Sequence, residues 1–346
     1  MAAFEALAAL ADVADTELSW PMASWDALNA SGVLRWIVPA EYGGDGIAGT
    51  DLLERYQDLA GACMTSCFLL SQRDAACRRL RDSGNEELCS ELLPALACGE
   101  RFATVGLSQL TTSRQHLGPT LSARAAGTGF MIDGVIPWVT GAGHAEHIVI
   151  GAVLEDRRQV LLVLPTSLPG VRVGAALELM ALRGSMTAEV HCDHVHLERR
   201  WLLAGPAEQV MPAGRGGTGG LETSCLALGL AAAAIEYLRR EGEARTPLAA
   251  PADRLEQKLQ RAREEIRQLA AGHNTPDAAA ALRGRANTLV LQATQAALTA
   301  SKGTGFVRPH PAQRWARQAL FFLVWSCPWP AASATLDYLS EAGCPS

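Results

Sequence analysis

Apolar and polar positions along the chain fall into three successive regimes. In residues 3–14 and 24–29 the apolar side chains recur every third or fourth position, the spacing of one helix face. Residues 38–46 interrupt this with Pro39, Gly43, Gly44 and Gly46, which punctuate a loop. Asp51 then stands as the cap of an amphipathic helix whose Leu52, Leu53, Tyr56 and Leu59 share a face. A further helix is predicted over Glu86–Ala97.

Beyond residue 101 the period shortens. Alternating or β-branched runs at 103–107, 123–125, 130–132, 147–153, 159–165, 170–173 and 187–197 predict strands. Gly127-Thr128-Gly129, Asp133-Gly134 and residues 155–158 separate them as turns, so this part reads as a small, largely antiparallel β unit. After a glycine-rich link at 214–220, helical patterns return. Residues 222–243 are apolar nearly all round, which predicts a buried helix. Leu255, Leu259, Ala262, Ile266 and Leu269 alternate spacings of four and three, suited to pairing with another helix. A third helix is predicted over 278–302, stopped by Gly303-Thr304-Gly305, and a fourth over 314–325, ended by Pro328 and Pro330. The chain is thus expected to be α+β, with an N-terminal helical domain (1–101), a middle β domain (102–206) and a C-terminal helical bundle (207–346).

Bulk properties narrow the class. The 346 residues are 49% hydrophobic and 19% charged, a globular composition. A net charge of -6 without a basic stripe argues against a nucleic-acid partner. No apolar run reads as long enough to span a bilayer and the N-terminus lacks a signal-peptide pattern, so no membrane partner and a cytosolic location are expected. Nine scattered cysteines form no disulfide framework and read as small buried hydrophobes. On a regular strand Cys192, His194 and His196 would share a face, a candidate metal set. The strand reading, with these residues structural or exposed, is preferred, and no metal is assigned. The run at 214–220 lacks a preceding strand and a following Lys-Ser/Thr, so it is a link rather than a phosphate loop.

The most telling chemistry is at Trp138-Val139-Thr140. Trp138 and Thr140 occupy alternate positions of an extended segment and are expected on one face, an aromatic wall beside a hydroxyl. That pairing suits a planar redox-active ring. Trp138-Val139-Thr140 resembles the W-I-T segment of the acyl-CoA dehydrogenase superfamily, and other pieces follow in the family's order. Residues 38–46 resemble its P-x-x-x-G-G-x-G loop and residues 93–100 its L-P-x-L-A-x-G-E segment. Leu107-Ser108-Gln109 stands where the family has L-T-E, and Gly184-Ser185-Met186-Thr187 matches its G-S-x-T. Gly303-Thr304-Gly305-Phe306 with Arg314 and Arg317-Gln318-Ala319 parallels G-x-G-F…R-D-A.

The resemblance covers nearly the whole chain and implies an FAD-dependent oxidoreductase acting on an acyl thioester or a related small substrate, acyl-CoA among them. It implies that Leu107 and Ser108 meet the flavin edge, Trp138 stacks on the ring, and Val139 and Thr140 lie beside it, with Thr140 bonding near the reactive nitrogen. It also implies a homo-oligomer in which a neighbouring subunit supplies Arg245 and the turn at Gly303.

Several positions depart from the family pattern. The register that carries the family's proton-removing glutamate, counted on from Arg317, lands on Ser326, and a serine needs a partner to act as a base. Glu222, about one helical turn beyond the place where some relatives carry the base, is the candidate carboxylate. It also suits a plain helix-start acid favoured by the dipole. P-x-x-G-S-D is replaced by residues 110–115, ending Ser113-Arg114-Gln115, and R-x-x-F-G by residues 245–249, of which Arg245 alone is kept. Two alternatives therefore stand beside the dehydrogenase: a flavin-dependent oxidase or monooxygenase on the same fold, and a catalytically degenerate paralogue serving as a binding or assembly protein.

Overall fold

The computed structural model describes residues 2–111, 120–211, 220–273, 275–325 and 329–340. Helices come first: α1 (Ala2–Thr16), α2 (Met22–Ala30), α3 (Gly49–Ala62), α4 (Met64–Arg81) and α5 (Glu86–Ala97). The expected helix after the glycine loop is α3, but it starts at Gly49 with Ala48 as its N-cap residue. Asp51 is an acid of the first turn rather than the cap, where it still complements the positive helix end. A side-chain cap starts α5, where the Asn85 side chain accepts the Leu88 N–H at 3.2 Å.

Helix α4 has no counterpart in the sequence reading. It is buried on most sides yet carries Arg73 and Asp74, both almost fully buried. The cost of burying charge is offset by pairing: Arg73 Nη1 meets Asp74 Oδ1 at 2.6 Å, and Arg73 Nη2 donates to the Leu96 carbonyl at 2.6 Å. Tyr56 of α3 donates to the other Asp74 oxygen at 2.6 Å.

The middle of the chain forms one eight-stranded sheet from β1 (Ala103–Gly106), β2 (Leu121–Ala126), β3 (Gly129–Val139), β4 (His147–Leu154), β5 (Gln159–Pro165), β6 (Val171–Val173), β7 (Ala188–Glu198) and β8 (Leu202–Ala207), with a short α6 (Ser108–Thr111) after β1. The order is β6-β7-β3-β2-β4-β5-β8, with β1 also paired to β4. Only the pairings of β4 with β1 and with β2 are parallel, which agrees with the expected, largely antiparallel sheet. The ribbon β3–β7 breaks register between Ile132 and Gly134, opposite His194, whose φ is 52°. A bulge adds a residue and reverses the inward–outward alternation beyond it. Cys192 therefore faces the core while His194 and His196 are exposed, so the candidate metal set does not assemble. Instead the exposed His194 lies beside Asp193 (2.8 Å) and Asp133 (3.2 Å).

The C-terminal helices are α7 (Leu221–Ala244), α8 (Ala249–Gln268), α9 (Pro276–Ser301), α10 (Pro311–Phe321) and α11 (Trp329–Ser340). Helix α7 is the expected buried helix, packed against α3, α8 and α9. By length and composition it could also cross a membrane, which corrects the reading that no such run exists; its most apolar window is 72% buried in the protein. All five residues of the α8 stripe are buried. Helix α10 stops at Phe321, earlier than expected, and continues in turns to Trp325. Pro330 opens α11 rather than ending a helix, since a proline in the first turn has no amide that the helix would use. Of the described cysteines, Cys98 alone is exposed and the other six are buried.

Candidate cofactor site

Strand β3 ends at Val139, and the chain turns through Thr140 and Gly141, where φ is 68°. A side chain at Gly141 would meet the Phe102 ring at 2.6 Å as well as an unfavourable φ, so glycine is needed there. The turn separates the two residues expected on one face. Trp138 keeps 48% of its surface exposed, whereas Thr140 (5%) and Val139 are buried behind it.

A second turn, Leu182 to Met186, holds Thr140 from the far side. The Gly141 amide donates to the Ser185 carbonyl at 2.8 Å. The Ser185 and Thr187 hydroxyls are 2.9 Å apart, and Thr187 donates on to Thr140 Oγ1 at 3.5 Å. All three residues are buried, so their hydroxyls form a polar thread that ends at Thr140, two residues along the chain from Trp138. Leu182 (φ 60°) and Met186 (φ 47°) are both left-handed without being glycine, each costing roughly 1–3 kcal/mol, a conformation that persists only where surrounding contacts impose it. Gly184 explains part of that imposition: a Cβ there would lie 2.4 Å from the Ala14 carbonyl oxygen of α1.

Leu107 is buried at the end of β1, and Ser108 opens α6 beside it. This short helix is seated by its next residue, because Gln109 Nε2 donates to the carbonyls of Gly106 (3.0 Å) and Gly151 (2.9 Å). Gly151 leaves room for Leu110, whose Cδ1 would be 2.2 Å from any added Cβ.

Arg245 and Gly303 come together elsewhere. Arg245, the C-cap residue of α7, donates to the Ala300 carbonyl at 2.7 Å and pairs with Glu241. Gly303 lies just beyond, in the helical turn that follows α9, exposed and with open space around its Cα. Glu222, in the first turn of α7, is placed against α4: its Oε1 is 3.8 Å from Arg78 Nη2. Burial alone would lower Arg78, but Tyr56, Glu222 and Asp74 around it raise it and keep it charged. The adjacent Arg79 is pushed down to about 10, chiefly by burial and then by the Arg78 charge. Positions 113–115, Gly219, Ser326, Cys327 and Pro328 lie outside the described residues.

The sequence points to Thr140 but not to the Ser185–Thr187 pair behind it, although Gly184-Ser185-Met186-Thr187 stands out as a motif. It also missed Asp15, fully buried at the end of α1. Asp15 Oδ1 accepts the Leu182 amide and Gln318 Nε2, each at 2.8 Å, and its Oδ2 pairs with Arg317 at 2.6 Å.

A half-exposed indole next to a buried hydroxyl thread fits a flat ring that stacks on one side and takes a hydrogen bond at its edge. Helices, sheet and helices in this order make up the acyl-CoA dehydrogenase fold. Residues 2–100 match the family model described as acyl-CoA dehydrogenase, N-terminal domain. The chain is 26% identical over 235 residues to the probable acyl-CoA dehydrogenase YngJ of Bacillus subtilis (strain 168), covering 65% of this chain and 61% of that protein. It is 22% identical over 330 residues to the human mitochondrial short-chain specific acyl-CoA dehydrogenase, covering 88% and 79%. Among solved structures, glutaryl-coenzyme A dehydrogenase in its glutaryl-CoA complex superposes with a TM-score of 0.85 at 18% identity, over 97% of this chain and 92% of the other. The prolyl acyl carrier protein oxidase AnaB does so with a TM-score of 0.83 at 16% identity, over 98% of both chains. At these identities the superpositions speak for the fold. The chain thus shares the acyl-CoA dehydrogenase fold, and its first hundred residues match that family's N-terminal domain.

Proposed function

We propose that the protein is an FAD-dependent oxidoreductase of the acyl-CoA dehydrogenase type, acting on an acyl thioester or a related small substrate in the cytosol. The observation that carries this reading is the half-exposed Trp138 ring beside the buried Thr140–Thr187–Ser185 thread. When bound, FAD supplies the hydride acceptor. The chain's own residues supply position. Trp138 would offer a stacking face, the Thr140 hydroxyl would hydrogen-bond the ring, and Leu107 and Ser108, which follow Gly106 packed against Val139, would line the same site. The pair Arg245 and Gly303 is joined through the end of α9. Its exposure suits a role at the site of a second copy, hence a homo-oligomer. Glu222 is the candidate to take the substrate's α-proton, and in the free chain Arg78 holds it toward α4.

A second reading, an oxidase or monooxygenase on this fold, is favoured by Ser326 in the base register and by the likeness to an acyl carrier protein oxidase. Anaerobic mixing of the flavin-loaded protein with a panel of acyl-CoA thioesters separates the readings. Bleaching of the visible flavin band without oxygen marks oxidation of the thioester by the flavin, with slow reoxidation in air for the dehydrogenase and rapid reoxidation for an oxidase, and loss of bleaching in Glu222→Gln assigns the base. Bleaching left intact in Glu222→Gln removes Glu222 from the reaction. A flavin reduced only by an external donor and reoxidised rapidly by dioxygen supports the monooxygenase. A protein that takes up no flavin at all is the degenerate binding paralogue.

A further inference from the structure

We infer that Asp15 is a positioning residue for the ring-facing hydroxyl: through the turn from Leu182 to Thr187 it sets where Thr140 and Gly141 stand. The inference rests on the reading of Thr140 as the ring contact, but its geometry belongs to the chain alone.

Three elements converge on this carboxylate, which is completely removed from solvent. Helix α1 brings it, α10 brings Arg317 and Gln318, and the turn brings the Leu182 amide. Arg317 brackets the same step from the other side, since its Nη1 also donates to the Met180 carbonyl at 3.0 Å. Both ends of the Met180–Leu182 step are therefore tied to one ion pair. Leu182 lies at φ 60°, a conformation an unconstrained leucine leaves. Four residues on, Met186 repeats it, and between them the Ser185 carbonyl takes the Gly141 amide while the Ser185 side chain lies 2.9 Å from Thr187. The turn also sits directly on α1 at Gly184, so it has little freedom to adapt around a lost tie. A buried carboxylate that accepts a backbone amide and a side-chain amide on one oxygen and lies in an ion pair with a guanidinium through the other is a strong anchor. Its neighbour Asp12 serves the same junction more loosely, 3.6 Å from Arg308 and 3.9 Å from Arg314. The route from Asp15 to Thr140 runs Leu182 amide, strained turn, Ser185 carbonyl and hydroxyl, Thr187, and Thr140.

The test compares the full chain with Asp15→Asn and with Arg317→Met, which keeps the carboxylate but removes its charge partner. Hydrogen exchange read by NMR at the Leu182 and Gly141 amides needs no flavin. The expected result is exchange faster by about tenfold at both amides in both variants, the loss of roughly one charge-assisted hydrogen bond, with α5 and β5 amides unchanged. Acceleration at Leu182 with Gly141 unchanged overturns the inference. So does acceleration spread evenly over the molecule, which marks a merely structural contact.

With FAD added, Asp15→Asn weakens binding by about tenfold or less and shifts the flavin reduction potential, and Thr140→Val does the same. The double variant is no worse than the more affected single one, because both act through one hydroxyl. Strict additivity overturns the inference. If the wild-type chain takes up no FAD while Gly141 exchange still follows Asp15, the flavin reading fails and the positioning role stands.

Discussion

Replacing Gly229 by alanine isolates the contact that joins the N-terminal helices to the C-terminal bundle. Gly229 sits near the middle of α7, where helix propensity alone favours alanine by about 1 kcal/mol. The tertiary contact opposes it. A Cβ at Gly229 would lie 2.1 Å from the Gln57 carbonyl oxygen of α3 and 2.9 Å from the Ala60 Cβ. The first of these is backbone, so no rotamer can relieve it, and α3 and α7 must separate by about 1 Å in an interior packed at crystal density. Overpacking of this kind costs about 1–3 kcal/mol, and a backbone contact belongs at the upper end. The net expectation is a loss of about 2 kcal/mol after the propensity gain. Gly61, across the same crossing, is the internal control: its Cβ would be 3.1 Å from the Gly229 carbonyl oxygen, a squeeze small enough for the helix gain to offset. Urea unfolding followed by tryptophan fluorescence and by far-ultraviolet circular dichroism reads both variants. A Gly229→Ala midpoint equal to or above wild type, or a Gly61→Ala midpoint lower than that of Gly229→Ala, refutes the account of this interface.

Other expectations follow from the buried polar groups. Asp74→Ala leaves Arg73 charged and buried without its partner and should cost about 3–5 kcal/mol, Tyr56→Phe about 1–2 kcal/mol, both read by thermal or urea unfolding. Arg283→Leu frees the Trp325 carbonyl that its guanidinium reaches at 3.0 Å and removes the cation over the Phe322 ring, and should lower stability by about 1–3 kcal/mol in the same measurement. Burial, and then the Arg101 charge, hold His147 below its ordinary value of 6.5. The unfolded chain then binds the proton more readily, so the neutral-pH stability is lost as pH falls from 6.5 through the lowered folded value. His147→Gln should flatten that part of a stability–pH curve, and an unchanged slope would contradict the assignment.

Much of the fold was legible because its signals are local. The apolar wrap of α7, the stripe of α8 and the run of β5 each announce an element within a single window, and β5 spans Gln159–Pro165 as read. What failed was decided at a distance. Helix α4 mixes Arg73, Asp74 and Arg78 into its buried faces, so its pattern carries no clean polar side, and its charges are satisfied by Tyr56 and the Leu96 carbonyl from other helices. Strand β8 is short and interrupted by Gly205-Pro206, which reads as a turn until β5 pairs with it. The bulge at His194 has no sequence mark, and it reverses which side chains face outward between Cys192 and His194. The site was legible in the same uneven way. Trp138 and Thr140 stand out as a motif, yet their division into an exposed ring and a buried hydroxyl comes from the Gly141 turn. Asp15 looks like an ordinary acid near a helix end. Only the approach of α10 and the Leu182 turn reveals it as a buried anchor.

The flavin claim is tested most directly by the visible spectrum of the purified protein titrated with FAD. The account expects saturable uptake, with a flavin band shifted from that of free FAD and quenching of tryptophan emission. Trp138→Ala should weaken uptake by about tenfold, the scale of one lost aromatic contact of roughly 1.4 kcal/mol. A chain that stays colourless and leaves the FAD spectrum unchanged at saturating concentrations, or a Trp138→Ala variant that binds as tightly as wild type, would contradict it.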